Sequence, residues 1–104
     1  EIEMIKIRGN RIDPAEIESV FRELLEVDWV GVRGIFDQGH PYLCAYYAQE
    51  PKRSVEEAER LAAGRLPSYM IPACFMKVDS IPREANGKIA KRKLPVPDRD
   101  GGKR

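Results

Sequence analysis

The run Asp13-Pro14-Ala15-Glu16 constrains the fold of this chain more than any other. Aspartate offers a side-chain acceptor to the first helical N–H groups, and proline presets φ in a turn where its missing N–H costs nothing. An acidic residue three positions after the cap completes the start signal. Behind it, Ile17, Val20, Phe21 and Leu24 recur at i, i+3, i+4 and i+7. This spacing predicts a helix to about Glu26 with one apolar stripe, and it puts Glu18, Arg22, Glu23 and Glu26 largely on the other side. A second capping box, Ser54-Val55-Glu56-Glu57, opens another amphipathic run through Val55, Ala58, Leu61, Ala62 and Arg65, which must stop before Pro67. Glu16 and Glu57 read most simply as cap residues.

Residues 27–36 and 42–48 are rich in valine, isoleucine and aromatics and flank Asp37-Gln38-Gly39-His40-Pro41. They read as two neighbouring antiparallel strands joined by a turn, with His40 exposed in it. Residues 74–78 make a third short strand, and Leu66-Pro67-Ser68-Tyr69-Met70-Ile71-Pro72 reads as a helix stop packed against the sheet. At the start, residues 3–12 alternate around Gly9-Asn10, which predicts a tight hairpin with Arg8 and Arg11 at its tip. After Pro82 the periodicity is lost, with a helical turn possible at residues 91–94. The expected fold class is α+β: a small three-stranded sheet packed by two main helices and preceded by a β-hairpin. Residues 1–94 are expected to form the domain and residues 95–104 a flexible tail or linker.

With 104 residues, the chain is sized for one domain. No apolar run approaches the ~20 residues of a membrane-spanning helix, and no leader-like segment opens it. Cys44 and Cys74 stand far apart without C-x-x-C spacing, which reads as packed thiols in a reduced, cytoplasmic protein. A single histidine argues against a metal site. Residues 83–104 carry eight basic side chains against three acidic ones, so the remainder is net acidic. Nucleic-acid binding by that basic end is disfavoured, because Trp29, Phe36, Tyr42, Tyr46 and Tyr47 read as sheet and core packing and not as a base-stacking platform. Neither nucleic acid nor membrane is an expected partner.

The basic end also contains Asn86-Gly87-Lys88. An Asn-Gly pair favours a turn with positive φ, and such a turn projects the next side chain outward. Lys88 therefore reads as a charge delivered to something outside the fold. It is not a P-loop lysine, since no glycine stands five residues before Gly87 and no Ser or Thr follows Lys88.

Three segments together resemble the C-terminal subdomain of adenylate-forming enzymes of the ANL superfamily, most closely the adenylation domains of nonribosomal peptide synthetases. Lys6-Ile-Arg-Gly-Asn-Arg-Ile-Asp-Pro-Ala-Glu-Ile-Glu18 is similar to that family's K-I-R-G-x-R-I-E-x-x-E-I-E block. Leu66 to Pro72 fits its L-P-x-Y-M-x-P block at every fixed position, and Asn86-Gly87-Lys88 matches the N-G-K core of its last block. Where the last block usually continues with an acidic residue and arginine, this chain has Ala90 and Lys91, and Ala85 replaces a frequent proline. The position of the family's acidic hinge residue falls on Ile2.

The resemblance implies a mobile lid. Such enzymes activate a carboxylic acid with ATP and Mg2+ as acyl-AMP, then pass the acyl group to the thiol of phosphopantetheine or CoA. The lid's partners would be a large N-terminal adenylation subdomain, which carries most of the ATP and acid site, and a carrier protein or CoA. Lys88 would be the catalytic residue, with Gly87 and Lys88 on the side of the carboxylate and α-phosphate. Arg8, Gly9, Asn10 and Arg11 would form the face used in thioester formation. Alternatives are the lid of an acyl- or aryl-CoA synthetase and a carrier-docking module without a catalytic role.

Overall fold

A computed structural model describes residues 3–36 and 39–97. Its elements follow the order strand, strand, helix, strand, strand, helix, strand: β1 Ile5–Ile7, β2 Asn10–Ile12, α1 Pro14–Leu25, β3 Val30–Ile35, β4 Tyr42–Tyr47, α2 Val55–Ala62 and β5 Cys74–Lys77. Short 3₁₀ turns at Ser68–Met70 and Lys91–Lys93 complete it. β1 and β2 form a separate two-stranded hairpin, while the main sheet has the order β3-β4-β5.

The helix signals act as their chemistry requires. Asp13 Oδ1 accepts from the N–H of Ala15 at 3.0 Å, and Ser54 Oγ accepts from that of Glu57 at 3.1 Å. α1 ends where Glu26 turns into the left-handed region at φ 59°. Ile17, Val20, Phe21, Leu24 and Leu25 are buried on one side of it. They pack with Val30, Val32, Leu43, Ala45, Ala58, Ala62 and Phe75, so the core lies between the two helices and one sheet face. The rings of Phe21 and Phe75 meet tilted at 60° with their centroids 5.2 Å apart, within the range of favourable aromatic pairs. Leu66, Met70 and Pro72 are buried, and the segment after α2 seals the same core.

Three local expectations are corrected, and the direction of β5 is added. The hairpin turns on Arg8-Gly9, whose φ values are +51° and +83°, and not on Gly9-Asn10; Asn10 is already in β2, paired with Ile7. Two positive φ values in a two-residue loop match the twist of the flanking strands, which decides the register. β5 runs parallel to β4, with Cys44 opposite Cys74, because α2 carries the chain back across the sheet before β5 begins. Phe36, just past the end of β3, is exposed, with none of the described residues covering it. Finally, Glu18 does not belong to a solvated helix face but is largely buried in an ion pair described below.

The second sheet face packs against the segment around Leu94. Ile35, Cys44, Tyr46 and Leu94 are buried together there. Tyr46 Oη donates to the carbonyl of Pro95 at 2.7 Å, and Pro97 is buried. Thus, of the expected tail, Pro95 is hydrogen-bonded to Tyr46, Val96 is exposed and Pro97 is buried, and the remaining part, 98–104, falls outside the described residues. Ile2, at the hinge position, also falls outside them.

Candidate functional site

Lys88 sits on a short hairpin between Pro82 and Ala90. The stem is closed by a bridge between Arg83 and Ile89 and by the N–H of Ala90 donating to the carbonyl of Pro82 at 2.9 Å. In the tip, the N–H of Gly87 donates to the Glu84 carbonyl at 2.9 Å, and the N–H of Glu84 donates to the Lys88 carbonyl at 2.7 Å. Gly87 adopts φ +90°, a conformation that disfavours any L side chain. Asn86 contributes its side chain, since Oδ1 accepts from the N–H of Lys88 at 3.0 Å. Arg83 donates to the Gly87 carbonyl at 2.9 Å, and Arg92 pairs with Glu84 at 2.9 Å. These bonds hold the shape of the tip.

The ammonium of Lys88 takes no part in them. The residue is exposed, and among the described residues its side chain has no hydrogen bond or ion pair. A rigid loop with one unsatisfied cation at its end presents that charge at little entropic cost when a partner arrives.

The second candidate face is the β1-β2 hairpin. Lys6 lies directly opposite Arg11 across the strands, and Arg8 occupies the turn. All three are exposed, and none has an ion pair among the described residues. Like charges set opposite one another in a strand pair repel, so this face favours an anion. Lys6 is the member that sequence reading passed over; the register of the hairpin is the signal that finds it. An added Cβ at Gly9 would meet nothing within 4 Å, so this turn leaves its backbone open to close approach from outside.

The structure does not join the two faces. No hydrogen bond or ion pair links the hairpin strands to the 82–90 loop among the described residues. What joins the base of the loop to the body is Lys91. Its Nζ donates to Glu3 Oε1 and to the Val32 carbonyl, each at 2.9 Å, and pairs with Glu18 Oε2. Glu18 Oε2 in turn accepts from the N–H of Val32 at 2.9 Å. Arg33 reinforces the junction by donating to the carbonyls of Lys91 and Leu94 at 3.3 and 3.0 Å. A cavity of about 480 Å3 lies elsewhere, between α2 and the β4-β5 edge, and neither face lines it. Among the described residues, no group of three or more His, Cys, Asp or Glu is placed to hold a metal ion.

No family model matches the chain. It is, however, 37% identical over 101 residues to gramicidin S synthase 1 of Brevibacillus brevis, covering 96% of this chain and 9% of that protein. Surfactin synthase subunit 1 of Bacillus subtilis (strain 168) is 44% identical over 96 residues, covering 90% of the chain and 3% of the relative. Among solved structures, o-succinylbenzoate coenzyme A synthetase from Bacillus subtilis, in complex with ATP and magnesium ion, superposes with a TM-score of 0.75 at 34% identity. That match covers 88% of this chain and 19% of the synthetase. The chain belongs to the C-terminal subdomains of adenylate-forming enzymes. A four-domain nonribosomal peptide synthetase bound to AMP and glycine gives a TM-score of 0.76 at 28% identity, over 90% of this chain and 7% of that one. The chain thus spans less than a tenth of the curated relatives it matches, and it corresponds to one subdomain of this family.

Proposed function

We propose that this subdomain is the mobile lid of an AMP-forming ligase that activates a carboxylic acid, most simply an amino acid, and transfers it to a phosphopantetheine thiol. The observation that carries the reading is the exposed ammonium of Lys88, without a partner among the described residues, on a loop whose backbone is held by its own hydrogen bonds. Identity to peptide synthetases over more than nine-tenths of the chain supports the amino-acid form of the reading.

In the first step a carboxylate oxygen bonds to the α-phosphorus of ATP while the bond to pyrophosphate breaks. Two anions must converge, and negative charge grows on the oxygens between them. An ammonium set against both offsets their repulsion and aligns them. At ~4 Å and an effective dielectric of about 20, one such contact is worth on the order of 4 kcal/mol, roughly a thousandfold in rate. Lys88 fills that role, with Gly87 giving the turn that presents it. ATP and Mg2+ are held chiefly by the large N-terminal subdomain.

In the second step the thiol sulfur bonds to the acyl carbon and AMP leaves. Rotation of the lid brings the other face to the same cleft. Gly9 lets the hairpin backbone approach the phosphopantetheine arm, while Arg8 and Arg11 reach its phosphate, with Asn10 adding a polar contact and Lys6 further positive charge. The acceptor is a carrier protein; in the coenzyme A synthetase form of the reading it is CoA, presenting the same pantetheine chemistry.

Combining the subdomain with its large N-terminal partner and measuring ATP–pyrophosphate exchange against a panel of amino, aryl and fatty acids tests the proposal. Exchange with an amino acid, dependent on both pieces, is expected. Exchange by the large subdomain alone at the full rate would contradict it.

A further inference from the structure

The ammonium of Lys91 has three N–H donors and meets three acceptors: Glu3 Oε1 at 2.9 Å, the Val32 carbonyl at 2.9 Å, and Glu18 Oε2. Its side chain is 21% exposed and that of Glu18 15%, so the pair is shielded from the screening that weakens surface ion pairs. Lys91 also follows directly on Ala90, which is 2% exposed and closes the stem of the loop through the Pro82 carbonyl. Only two residues, Ile89 and Ala90, therefore separate a saturated, body-bound ammonium from that of Lys88, which has no partner among the described residues.

We propose that Lys91 is the positioning residue of this lid: a clamp that fixes the base of the 82–90 loop to α1 and β3, so that Lys88 enters the cleft already oriented. The inference rests on the lid reading above and adds to it the residue through which the body of the fold controls Lys88. The hydrogen bonds inside the tip determine its shape but not its orientation relative to the sheet. Orientation comes from the junction, where Lys91 binds α1 through Glu18 and β3 through Val32, and where Arg33 holds the carbonyls of Lys91 and Leu94. Glu3 adds the segment leading into β1, so the chain's entry and the lysine loop share one anchor. Displacement of a catalytic group by about 1 Å can cost on the order of a hundredfold in rate, so an anchor at the base of the loop acts on chemistry it never touches.

The test compares three variants of the enzyme that carries this subdomain in both half-reactions. Lys91→Met is expected to lower kcat for amino-acid-dependent ATP–pyrophosphate exchange at least tenfold, with KM for ATP and for the acid within twofold. Transfer of a preformed acyl-adenylate to the thiol, which uses the hairpin face, is expected to stay within twofold. Lys91→Arg, which keeps the charge and reaches the same carboxylates, is expected to recover exchange to within about threefold of the parent enzyme. Lys88→Ala is the control, since its loss of exchange tests the lid reading itself. Full exchange in Lys91→Met alongside its loss in Lys88→Ala would overturn the clamp and spare the lid. Equal losses in both half-reactions would reduce Lys91 to a general stabiliser and also overturn it. Should Lys91→Met fail to fold, Glu18→Gln decides: it keeps an acceptor for the Val32 N–H while removing the charge that holds Lys91. A selective loss of exchange is expected there, and parental exchange would overturn the proposal.

Discussion

The N–H of Lys88 donates to Oδ1 of Asn86 at 3.0 Å, so the residue before the glycine fixes the backbone of the residue after it. That bond and Gly87 at φ +90° together set the backbone from which the Lys88 side chain leaves. Gly87→Ala is expected to destabilise the subdomain by about 1–2 kcal/mol through backbone strain alone, since an added Cβ meets nothing within 4 Å. Urea unfolding at constant m-value checks this.

Under the proposed lid role, substitution at Gly9 is expected to separate the two half-reactions. This glycine too has positive φ and open space around it, so Gly9→Ala carries a backbone cost of about 1 kcal/mol without an internal clash. A bulkier Gly9→Leu is expected to slow thioester formation tenfold or more and leave pyrophosphate exchange within twofold. Single-turnover transfer from a preformed adenylate measures the first and radiolabelled exchange the second.

Gly31 in β3 illustrates packing. A Cβ there would lie 2.5 and 2.8 Å from ring atoms of Trp29, so the indole must move. Gly31→Ala is expected to cost about 1–3 kcal/mol and to shift the emission of Trp29, the only tryptophan. Denaturant melts followed by fluorescence report both together.

Alkaline pH should weaken the fold through Cys44. Burial pushes this thiol from an ordinary value of 9.0 up to about 12, with Tyr46 opposing and Cys74 reinforcing the shift, and burial raises the Tyr46 phenol as well. Above about pH 9 the unfolded thiol releases its proton while the folded one keeps it, so the unfolded state binds fewer protons and stability falls as pH rises. The loss is expected to approach about 1.4 kcal/mol per pH unit from Cys44 until pH nears 12. Cys44→Ala should flatten part of that slope in chemical denaturation series from pH 8 to 11.

The parts legible in the sequence were those with local causes. Asp13 and Ser54 cap the helices they were expected to cap, and the stripes at Ile17, Val20, Phe21 and Leu24 and at Ala58 and Ala62 are the buried ones. The turn at Gly87 follows from its own dipeptide. Features set by partners distant in sequence were not legible. Glu18 looked solvated because its partners, Lys91 and Val32, stand 73 and 14 residues away. The parallel pairing of β4 with β5 depends on how α2 crosses the sheet, and the burial of Leu94 and Pro97 depends on a sheet face that only the assembled strands create. Arg8 at positive φ broke a local preference for glycine or asparagine, which displaced the expected turn by one residue. The hairpin and lysine loop were recognised through the three sequence blocks, while Lys6 and the Lys91 clamp needed strand register and side-chain contacts.

The central claim is that a free ammonium on a rigid, movable loop completes a pocket built by another subdomain, and the adenylation rate of Lys88→Ala tests it most directly. With the large subdomain present, ATP–pyrophosphate exchange by Lys88→Ala is expected to fall by ~10² to 10⁴ while its unfolding midpoint matches the parent's, because the side chain has no partner among the described residues. Parental exchange by a folded Lys88→Ala enzyme would contradict the account.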